Sequence, residues 1–302
     1  VSVAAAFEKK KGGTGNFGIR QRAQLQKRHS HNGRNRHNTR HAYSRADFRK
    51  GEIRIYNSCR CICLRRYRLS RRLDKNPLQK ESGAQLSIAL IVAFVVYKNE
   101  LIRGDVYIPF TKNTVSLGWG VIPLVVFIFI ATTNSVNLTD GLDGLAASTT
   151  LVYMAGIAAI IAIVAADADK NGLSLYVKEY QGLLTVCFAT VGSLAGFLLF
   201  NCFPAKIFMG DVGSLALGGV VACVSILGRL SLYIPILGVM FATSAVSDII
   251  QVVHYKRTKR RVFLMAPFHH HLQKKGLSET RIGFLYSTIT GIVALICVLT
   301  LI

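Results

Sequence analysis

Three short polar segments interrupt long apolar runs, and each carries side chains suited to phosphate and metal chemistry. The first, 134–144, places Asn137, Asp140 and Asp143 at intervals of three residues. At that spacing the two carboxylates are expected to face the same side of a helical turn. Helix capping by Thr139 or Asp140, with Asp143 completing a capping box, is the structural alternative. Capping does not explain two acids and an amide at the edge of an apolar run, where unpaired charge is costly and usually functional.

The second segment combines a carboxylate, a cation and an aromatic ring. It runs Asn201-Cys-Phe-Pro-Ala-Lys206-Ile-Phe208-Met-Gly210-Asp211-Val-Gly-Ser. A carboxylate at a helix start beside glycines can hold Mg²⁺ while backbone N–H groups contact phosphate, which makes Asp211 a candidate metal ligand. Lys206 supplies positive charge for a diphosphate, and Phe208 offers a face on which a base can stack. Ordinary capping by a Gly-Asp pair remains the alternative here.

The third segment contains consecutive histidines, His269, His270 and His271, after Met-Ala-Pro-Phe. Adjacent side chains diverge on a helix or a strand, so one or two of these rings are expected to face a common site. There they would neutralise phosphate or hydrogen-bond a sugar, whereas a solvated loop is the alternative. Phosphoryl transfer needs mainly positioning and charge stabilisation, and the three segments together supply suitable groups.

The apolar runs that must position these segments number seven, at 84–97, 117–132, 145–166, 181–200, 212–229, 231–252 and 282–302. Most approach the ~20 residues that a helix needs to cross a bilayer. Glycine and other small residues are frequent within them, which suits close helix packing in lipid. The pattern predicts an all-α polytopic membrane protein with about seven recognisable transmembrane helices, rather than buried helices of a soluble protein.

Alternation of seven spans places all three polar segments on one face of the membrane. That face also carries the basic cluster of 256–261, whereas the opposite connections mix basic and acidic residues. The positive-inside rule therefore predicts that the three segments lie in the cytoplasm. Their convergence on one face predicts a single site at the membrane surface, with a lipid as one substrate.

These segments resemble the signatures of the polyprenyl-phosphate N-acetylhexosamine-1-phosphate transferases. The resemblance is carried by 134–145, 201–219 and 265–272, and it covers 84–302, the last seven of that family's ten spans. The string from Met265 to His271 is similar to the branch of the family that uses a UDP-MurNAc-pentapeptide donor. Relatives that transfer GlcNAc-1-phosphate share the first two segments but carry a different histidine arrangement, and they are the alternative.

The resemblance implies a reaction in peptidoglycan synthesis. Phospho-MurNAc-pentapeptide would pass from UDP-MurNAc-pentapeptide to undecaprenyl phosphate, giving lipid I and UMP, with Mg²⁺ as cofactor. The implied partners are these two substrates, the lipid bilayer and a second copy of the chain in a homodimer, and no nucleic acid is expected. The implied location is the bacterial cytoplasmic (inner) membrane, with the active site facing the cytoplasm.

The resemblance also assigns roles to individual residues. Mg²⁺ would be held by Asp211. The implied catalytic residues are Asp140, Asp143, Asp211 and His269. The implied substrate-binding residues are Asn137, Asn201, Lys206, Phe208, Gly210, His270 and His271. Of these, Phe208 would stack on uracil, and the histidines would help to bind the sugar-phosphate donor.

Residues 1–83 depart from the family pattern. They contain 22 basic and 5 acidic residues, a net charge of +17, whereas the remainder carries +5. The family's three earlier spans, its Gly-Thr-Pro-Thr-Met-Gly-Gly string and its Asp-Asp pair are all missing. As it stands, the segment is typical of an irregular basic arm that binds RNA or acidic lipid.

A shifted reading frame explains this departure. Codons for 28–35, read one base downstream, can encode Gly-Thr-Pro-Thr-Met-Gly-Gly. The same shift over 68–76 allows Gly-Phe-Val-Asp-Asp-Leu-Ile-Lys, with the acids at Arg71 and Arg72. The two family motifs then appear in one frame, in the family's order. We therefore interpret 1–83 as an aberrant, wrong-frame segment and 84–302 as the transmembrane transferase domain.

The missing Asp pair predicts that the chain is inactive as it stands.

Two rival hypotheses belong to other functional classes. One is a scaffold or transporter with a midplane binding site, whose markers are broken helices or charges within the spans. Only Asp248 lies deep in an apolar run, which disfavours it. The other is an inactive membrane protein whose basic arm binds nucleic acid or lipid, with steep salt dependence.

Overall fold

The computed structural model describes residues 77–99, 102, 104–111 and 113–301. The predictions made for residues 1–76 lie outside this part of the chain. The first described helix begins at Pro77, before the boundary at 84 that the sequence suggested.

The described chain is mostly helical. Its helices are α1 Pro77–Lys98, α2 Val121–Thr139, α3 Leu145–Lys170, α4 Ser174–Asn201, α5 Gly210–Leu227, α6 Ile234–Leu237, α7 Val239–Thr258, α8 Phe268–Lys274 and α9 Glu279–Leu299. Short 3-10 turns precede α2 at Gly118–Gly120 and α6 at Ser231–Tyr233. Between α1 and α2 lies a small antiparallel hairpin, β1 Asp105–Tyr107 paired with β2 Thr114–Ser116, which the sequence analysis did not predict.

The lengths and hydropathies of the helices confirm a polytopic membrane protein. Within the described residues, five helices are long and apolar enough to cross a membrane, and a bent pair brings the number to six. This pair consists of Ser231–Leu237 and Val239–Thr258, which meet at 77°. The first of the seven apolar runs corresponds to a shorter apolar helix, Ser82–Lys98. The run at 231–252 is therefore bent at Gly238, as in a broken span or a re-entrant loop, and a broken helix is a feature that a transporter would also show.

The first polar segment forms a shorter connection between helices than the sequence suggested. Helix α2 continues through Thr139, so Asn134 and Asn137 lie in its last turns and not in a loop. Only 140–144 forms the connection to α3. Asp140 and Asp143 therefore lie in a tight turn, and the prediction that they share one helical turn is wrong.

Close helix contacts depend on small residues. Helix α5 packs against α2, where a Cβ built at Gly218 would lie 2.7 Å from Thr133 Cα. Helix α9 packs against α3, where a Cβ at Gly156 would lie 2.6 Å from Ala294 Cβ. Since lipid chains are as apolar as the helices, dispersion contact at such close approaches is a main source of association.

The end of α5 away from Gly210 is fixed by a buried arginine. Arg229 Nη1 lies 4.0 Å from the Asp105 carboxylate, and its guanidinium stands 4.4 Å from the ring centroid of Tyr176. The backbone N–H of Tyr107 donates to the carbonyl of Arg229 at 2.9 Å. These contacts attach the hairpin to the helices at the end of the bundle opposite the polar segments.

Neighbouring glycines on α5 provide a test of this packing. Gly218→Ala would place a methyl group against the backbone of α2, whereas Gly219→Ala would place it 3.8 Å from Phe129 Cζ, an ordinary contact. We expect Gly218→Ala to destabilise the protein by about 1–3 kcal/mol, as overpacking does. The thermal midpoint in detergent should fall for this variant and stay close to wild type for Gly219→Ala. Equal midpoints for the two variants would contradict the packing described.

Candidate active site

Two of the polar segments, far apart in sequence, enclose one small cavity. It has a volume of about 210 Å³ and opens where α2 ends and α5 begins. Its lining residues are Asn137, Asp140, Gly141, Leu142 and Asp143 from the first segment, and Asn201, Phe208, Met209, Gly210 and Asp211 from the second. The cavity therefore gathers three carboxylates, two amides and an aromatic ring.

Two of these carboxylates, Asp140 and Asp211, repel each other electrostatically. Partial burial, together with the negative charge of Asp211, raises the pKa of Asp140 from 3.8 to about 6. Burial is the larger cause, because it removes water that would stabilise the carboxylate, and the like charge adds to it. The cavity thus holds negative charge that a bound cation would stabilise.

Side-chain hydrogen bonds connect the two segments. Ser214 Oγ donates to Asn137 Oδ1 at 2.6 Å, which joins the first turn of α5 to the last turn of α2. The backbone N–H of Ala205 donates to Asp143 Oδ2 at 2.9 Å. Since both bonds link residues more than 60 positions apart, they fix the two sides of the cavity relative to each other.

Helix capping, the structural alternative, does not account for the acids of the cavity. Helix α3 begins after Gly144, and among the described residues no side chain caps that helix start. The same holds for α5, which follows Met209. The Asp143 carboxylate accepts from Ala205 instead, so it connects two loops and does not cap its own helix.

Gly144 allows the two loops to approach closely. Its φ of +72° is in the left-handed region that favours glycine, and a Cβ there would lie 3.4 Å from the carbonyl oxygen of Asn201. Asn201 is buried, and its Nδ2 donates to the carbonyl of Ile207 at 2.8 Å, which closes the loop before α5. Its predicted contact with the nucleotide stays a prediction.

His269 and His270 lie against the acidic turn. A Cβ at Gly141 would clash with His269 Nε2 and would lie 3.0 Å from His270 Nε2. His269 is fully buried, and both its ring nitrogens are without a hydrogen-bond partner among the described residues. Burial, with the nearby His270, lowers the pKa of His269 from 6.5 to about 3, so this ring is neutral at physiological pH.

His271 faces a different surface. Its Nδ1 accepts from the backbone N–H of Leu264 at 3.1 Å, and its ring stacks on Phe268 with centroids 5.9 Å apart. Gln251 of α7 holds the same loop, accepting from the N–H groups of Val262 and Phe263 at 3.1 and 2.9 Å. The structure therefore brings two of the three histidines to the acidic turn and places the third in the support of the loop.

The remaining predicted residues lie around the cavity mouth. Phe208 lines the cavity and is 65% exposed, so one ring face is accessible to a planar ligand. Gly210 lines it with a φ of +67° at the start of α5. Lys206 is exposed and lies outside the lining, next to Ala205, whose N–H is bonded to Asp143.

The structure adds three residues to the site that sequence reasoning missed. Ser214 contacts Asn137, and Glu279 and Gln273 join the histidine helix to the acidic turn. Glu279 Oε2 accepts from the N–H of Asp143 at 3.3 Å, and its Oε1 accepts from Gln273 Nε2 at 3.1 Å. The only signal in the sequence was a glutamate three residues before the last apolar run.

The carboxylates fit a divalent cation bound together with phosphate. Among the described residues, no group of three His, Cys, Asp or Glu side chains is placed to hold a metal by itself. Mg²⁺, however, typically uses one or two carboxylates together with substrate phosphates and water. Asp140 and Asp211, which repel each other in the cavity, would be suitable carboxylates for such an ion.

Comparison with known proteins gives a consistent family assignment. Residues 77–229 match the family model described as glycosyl transferase family 4. The chain is 42% identical over 217 residues to a protein of Clostridium novyi (strain NT) named phospho-N-acetylmuramoyl-pentapeptide-transferase, covering 72% of this chain and 62% of that protein. Proteins of the same name from Acetivibrio thermocellus and Clostridioides difficile (strain 630) are 42% and 39% identical over 214 and 215 residues.

The matches to the Acetivibrio and Clostridioides proteins cover similar shares of both chains. They cover 70% and 71% of this chain, and 60% and 63% of the relatives. The chain thus spans about three fifths of the length of the curated relatives it matches.

The raised pKa of Asp140 predicts how stability varies with pH. Because its folded-state pKa of about 6 exceeds the ordinary value of 3.8, this carboxyl stabilises the fold below pH ~4 and that stabilisation is lost as pH rises through 6. Asp140→Asn should therefore raise the thermal midpoint above pH 6 in metal-free buffer and have no such effect near pH 4. Asp169→Asn, at an exposed position, is the control. A gain for Asp140→Asn that is independent of pH would contradict this account.

Proposed function

The chain belongs to glycosyl transferase family 4, and from this premise we propose that its site serves the transfer of phospho-MurNAc-pentapeptide from UDP-MurNAc-pentapeptide to undecaprenyl phosphate. In this reaction an oxygen of the lipid phosphate attacks the β-phosphorus of the donor. The bond from that phosphorus to the UMP oxygen breaks, giving lipid I and UMP. The relatives' shared name supports the donor assignment.

The observation that carries the proposal is the cavity that Asp140 and Asp211 both line, where the charge of one raises the pKa of the other. No side-chain hydrogen bond caps the start of α3 or of α5, and Asp140 is destabilised as a carboxylate by burial and by Asp211. Such an arrangement is costly unless a ligand compensates it, and perturbed carboxylates in a cleft are typical of functional sites. A cation bound together with a diphosphate would offset the negative charge of both acids.

We assign Mg²⁺ to Asp211 and Asp140. When bound, the ion offsets negative charge on the donor's diphosphate. The chain's own groups orient the donor around it. Phe208 presents an exposed ring for the uracil, and Lys206, exposed on the same loop, would supply positive charge for a phosphate. Asn137 and Asp143 hold the two cavity walls together through Ser214 and Ala205.

The histidines contribute neutral hydrogen-bonding groups. His269 is buried and uncharged, so it can donate or accept a hydrogen bond but does not neutralise phosphate at physiological pH. His270, beside it, faces the acidic turn with Nε2. The partly exposed position of His270 suits contact with the sugar of the donor, whereas for the fully buried His269 a substrate contact stays a prediction. For His271, which supports the loop at 262–268, a substrate contact stays a prediction.

The location of the site agrees with a lipid acceptor. All the cavity segments lie at the ends of apolar helices, at the same end as the basic cluster of 256–261. We propose that this face is cytoplasmic and that the membrane is the bacterial inner membrane. A homodimer also remains a prediction.

We further propose that residues 1–83, as they stand, prevent turnover. They lack the Asp-Asp pair that the family resemblance implies, whereas the shifted frame supplies it at positions 71 and 72. The donor-binding half of the site lies in the described residues and does not depend on that pair. Binding of the donor and its reaction are therefore expected to depend on different parts of the chain.

UMP release tests the function directly. The chain as it stands is expected to release no UMP from UDP-MurNAc-pentapeptide in the presence of undecaprenyl phosphate and Mg²⁺. The same chain with codons 28–83 restored to the shifted frame should release UMP in a Mg²⁺-dependent reaction. Turnover by the unaltered chain would refute the role of the missing pair. A restored chain that folds and remains inactive would refute the function.

Metal binding is tested without turnover. Mg²⁺ with UMP should raise the thermal midpoint of the unaltered chain, because a ligand that binds only the folded state stabilises it. Asp211→Asn should lose that increase, whereas Asp169→Asn should keep it. An undiminished increase in Asp211→Asn would show that the ion binds elsewhere.

A further inference from the structure

A chain of hydrogen bonds runs from the last helix to the histidines. Glu279, in the first turn of α9, accepts from two donors, the backbone N–H of Asp143 and the side-chain amide of Gln273. Gln273 Oε1 in turn lies 3.2 Å from His270 Nδ1. The opposite ring nitrogen, Nε2, faces Gly141 between the two acids of the turn. Three elements are thus connected through side chains outside the cavity lining.

The direction of these bonds follows from the chemistry of the carboxylate. An ionised carboxylate can only accept hydrogen bonds, so Gln273 must present its NH₂ group to Glu279. Its carbonyl oxygen is then the atom that meets His270. A carbonyl can only accept, so Nδ1 of His270 must carry the proton. In the neutral imidazole, Nε2 is therefore the acceptor.

We propose that Glu279, acting through Gln273, is a positioning residue that holds neutral His270 as the Nδ1–H tautomer. Nε2 is then available at the acidic turn to accept a hydrogen bond from an amide N–H of the donor's sugar, a group that can only donate. The second half rests on the proposed function, whereas the tautomer depends only on the protein.

A purely structural role for Glu279 leaves part of the geometry unexplained. An acid in the first turn of a helix is stabilised by the helix dipole, and this alone accounts for a glutamate at the start of α9. The dipole does not account for the use of both carboxylate oxygens by donors on two other elements. A glutamine at position 279 would occupy the same space, but it would carry an NH₂ donor in place of one of the two acceptor oxygens.

That difference defines the key variant. In Glu279→Gln the new side chain can accept from Asp143 N–H and donate to Gln273, whose amide then turns its NH₂ toward His270. Nδ1 becomes the acceptor, and the proton moves to Nε2. ¹⁵N NMR of histidine-labelled protein at pH ~9, where histidine rings are neutral, distinguishes the two tautomers. The His270 signals are assigned by their loss in His270→Asn.

The expected result is that the Nε2 resonance of His270 moves from the unprotonated to the protonated range in Glu279→Gln. The double variant Gln273→Glu with Glu279→Gln should restore it, since the carboxylate at 273 accepts from both neighbours. Glu179→Gln, at an exposed site on α4, is the matched control and should change nothing. An unchanged tautomer in Glu279→Gln overturns the proposal, and so does a double variant that fails to restore it.

Donor binding tests the second half. Affinity for UDP-MurNAc-pentapeptide should fall about tenfold in Glu279→Gln, because one hydrogen bond of ordinary strength is lost. It should recover in the double variant. A changed tautomer with unchanged affinity would show that His270 Nε2 does not accept a hydrogen bond from the donor. If the wild-type chain binds no donor while the tautomer responds as expected, the proposed function fails and the positioning role of Glu279 stands.

Discussion

The burial of Asp140 beside the like charge of Asp211 is the constraint on which the rest of the site depends. Two carboxylates from segments about 70 residues apart share a cavity of about 210 Å³, and burial removes much of the water that would stabilise them. Left alone, such a pair would favour separation of α2 from α5. The fold resists this through the Gly218 contact and the bond between Ser214 and Asn137. The helices thus hold two carboxylates that repel each other in one cavity, where a bound cation would offset their charge.

The neighbouring polar groups stabilise the loops that carry these acids. Asp143 uses its carboxylate to hold the loop at 201–210 and its N–H to reach Glu279. Gln251 holds the loop before the histidines from the far side. His269 and His270 then close against Gly141, where any side chain would displace them. Each element of the site is therefore fixed by contacts to at least one other element, as a site that must be preorganised requires.

The sequence predicted what depends on composition and local pattern. Apolar run length gave the membrane helices, and the glycines beside Asp211 gave the start of α5. It failed where contacts between distant residues decide. The extension of α2 to Thr139 is stabilised by packing against α5, and the break between α6 and α7 has no counterpart in the hydropathy of 231–252. Glu279 and Gln273 were missed because their partners, Asp143 and His270, are identified only by the fold.

The claim that Asp140 and Asp211 share one cation is tested most directly by a double-mutant cycle on Mg²⁺ affinity. The dissociation constant would be measured with UMP present for wild type, Asp140→Asn, Asp211→Asn and the double variant. If both acids hold the same ion, each single change should weaken binding strongly and the double variant should be little weaker than the worse single one. Additive losses, or a loss confined to one variant, would contradict a shared site.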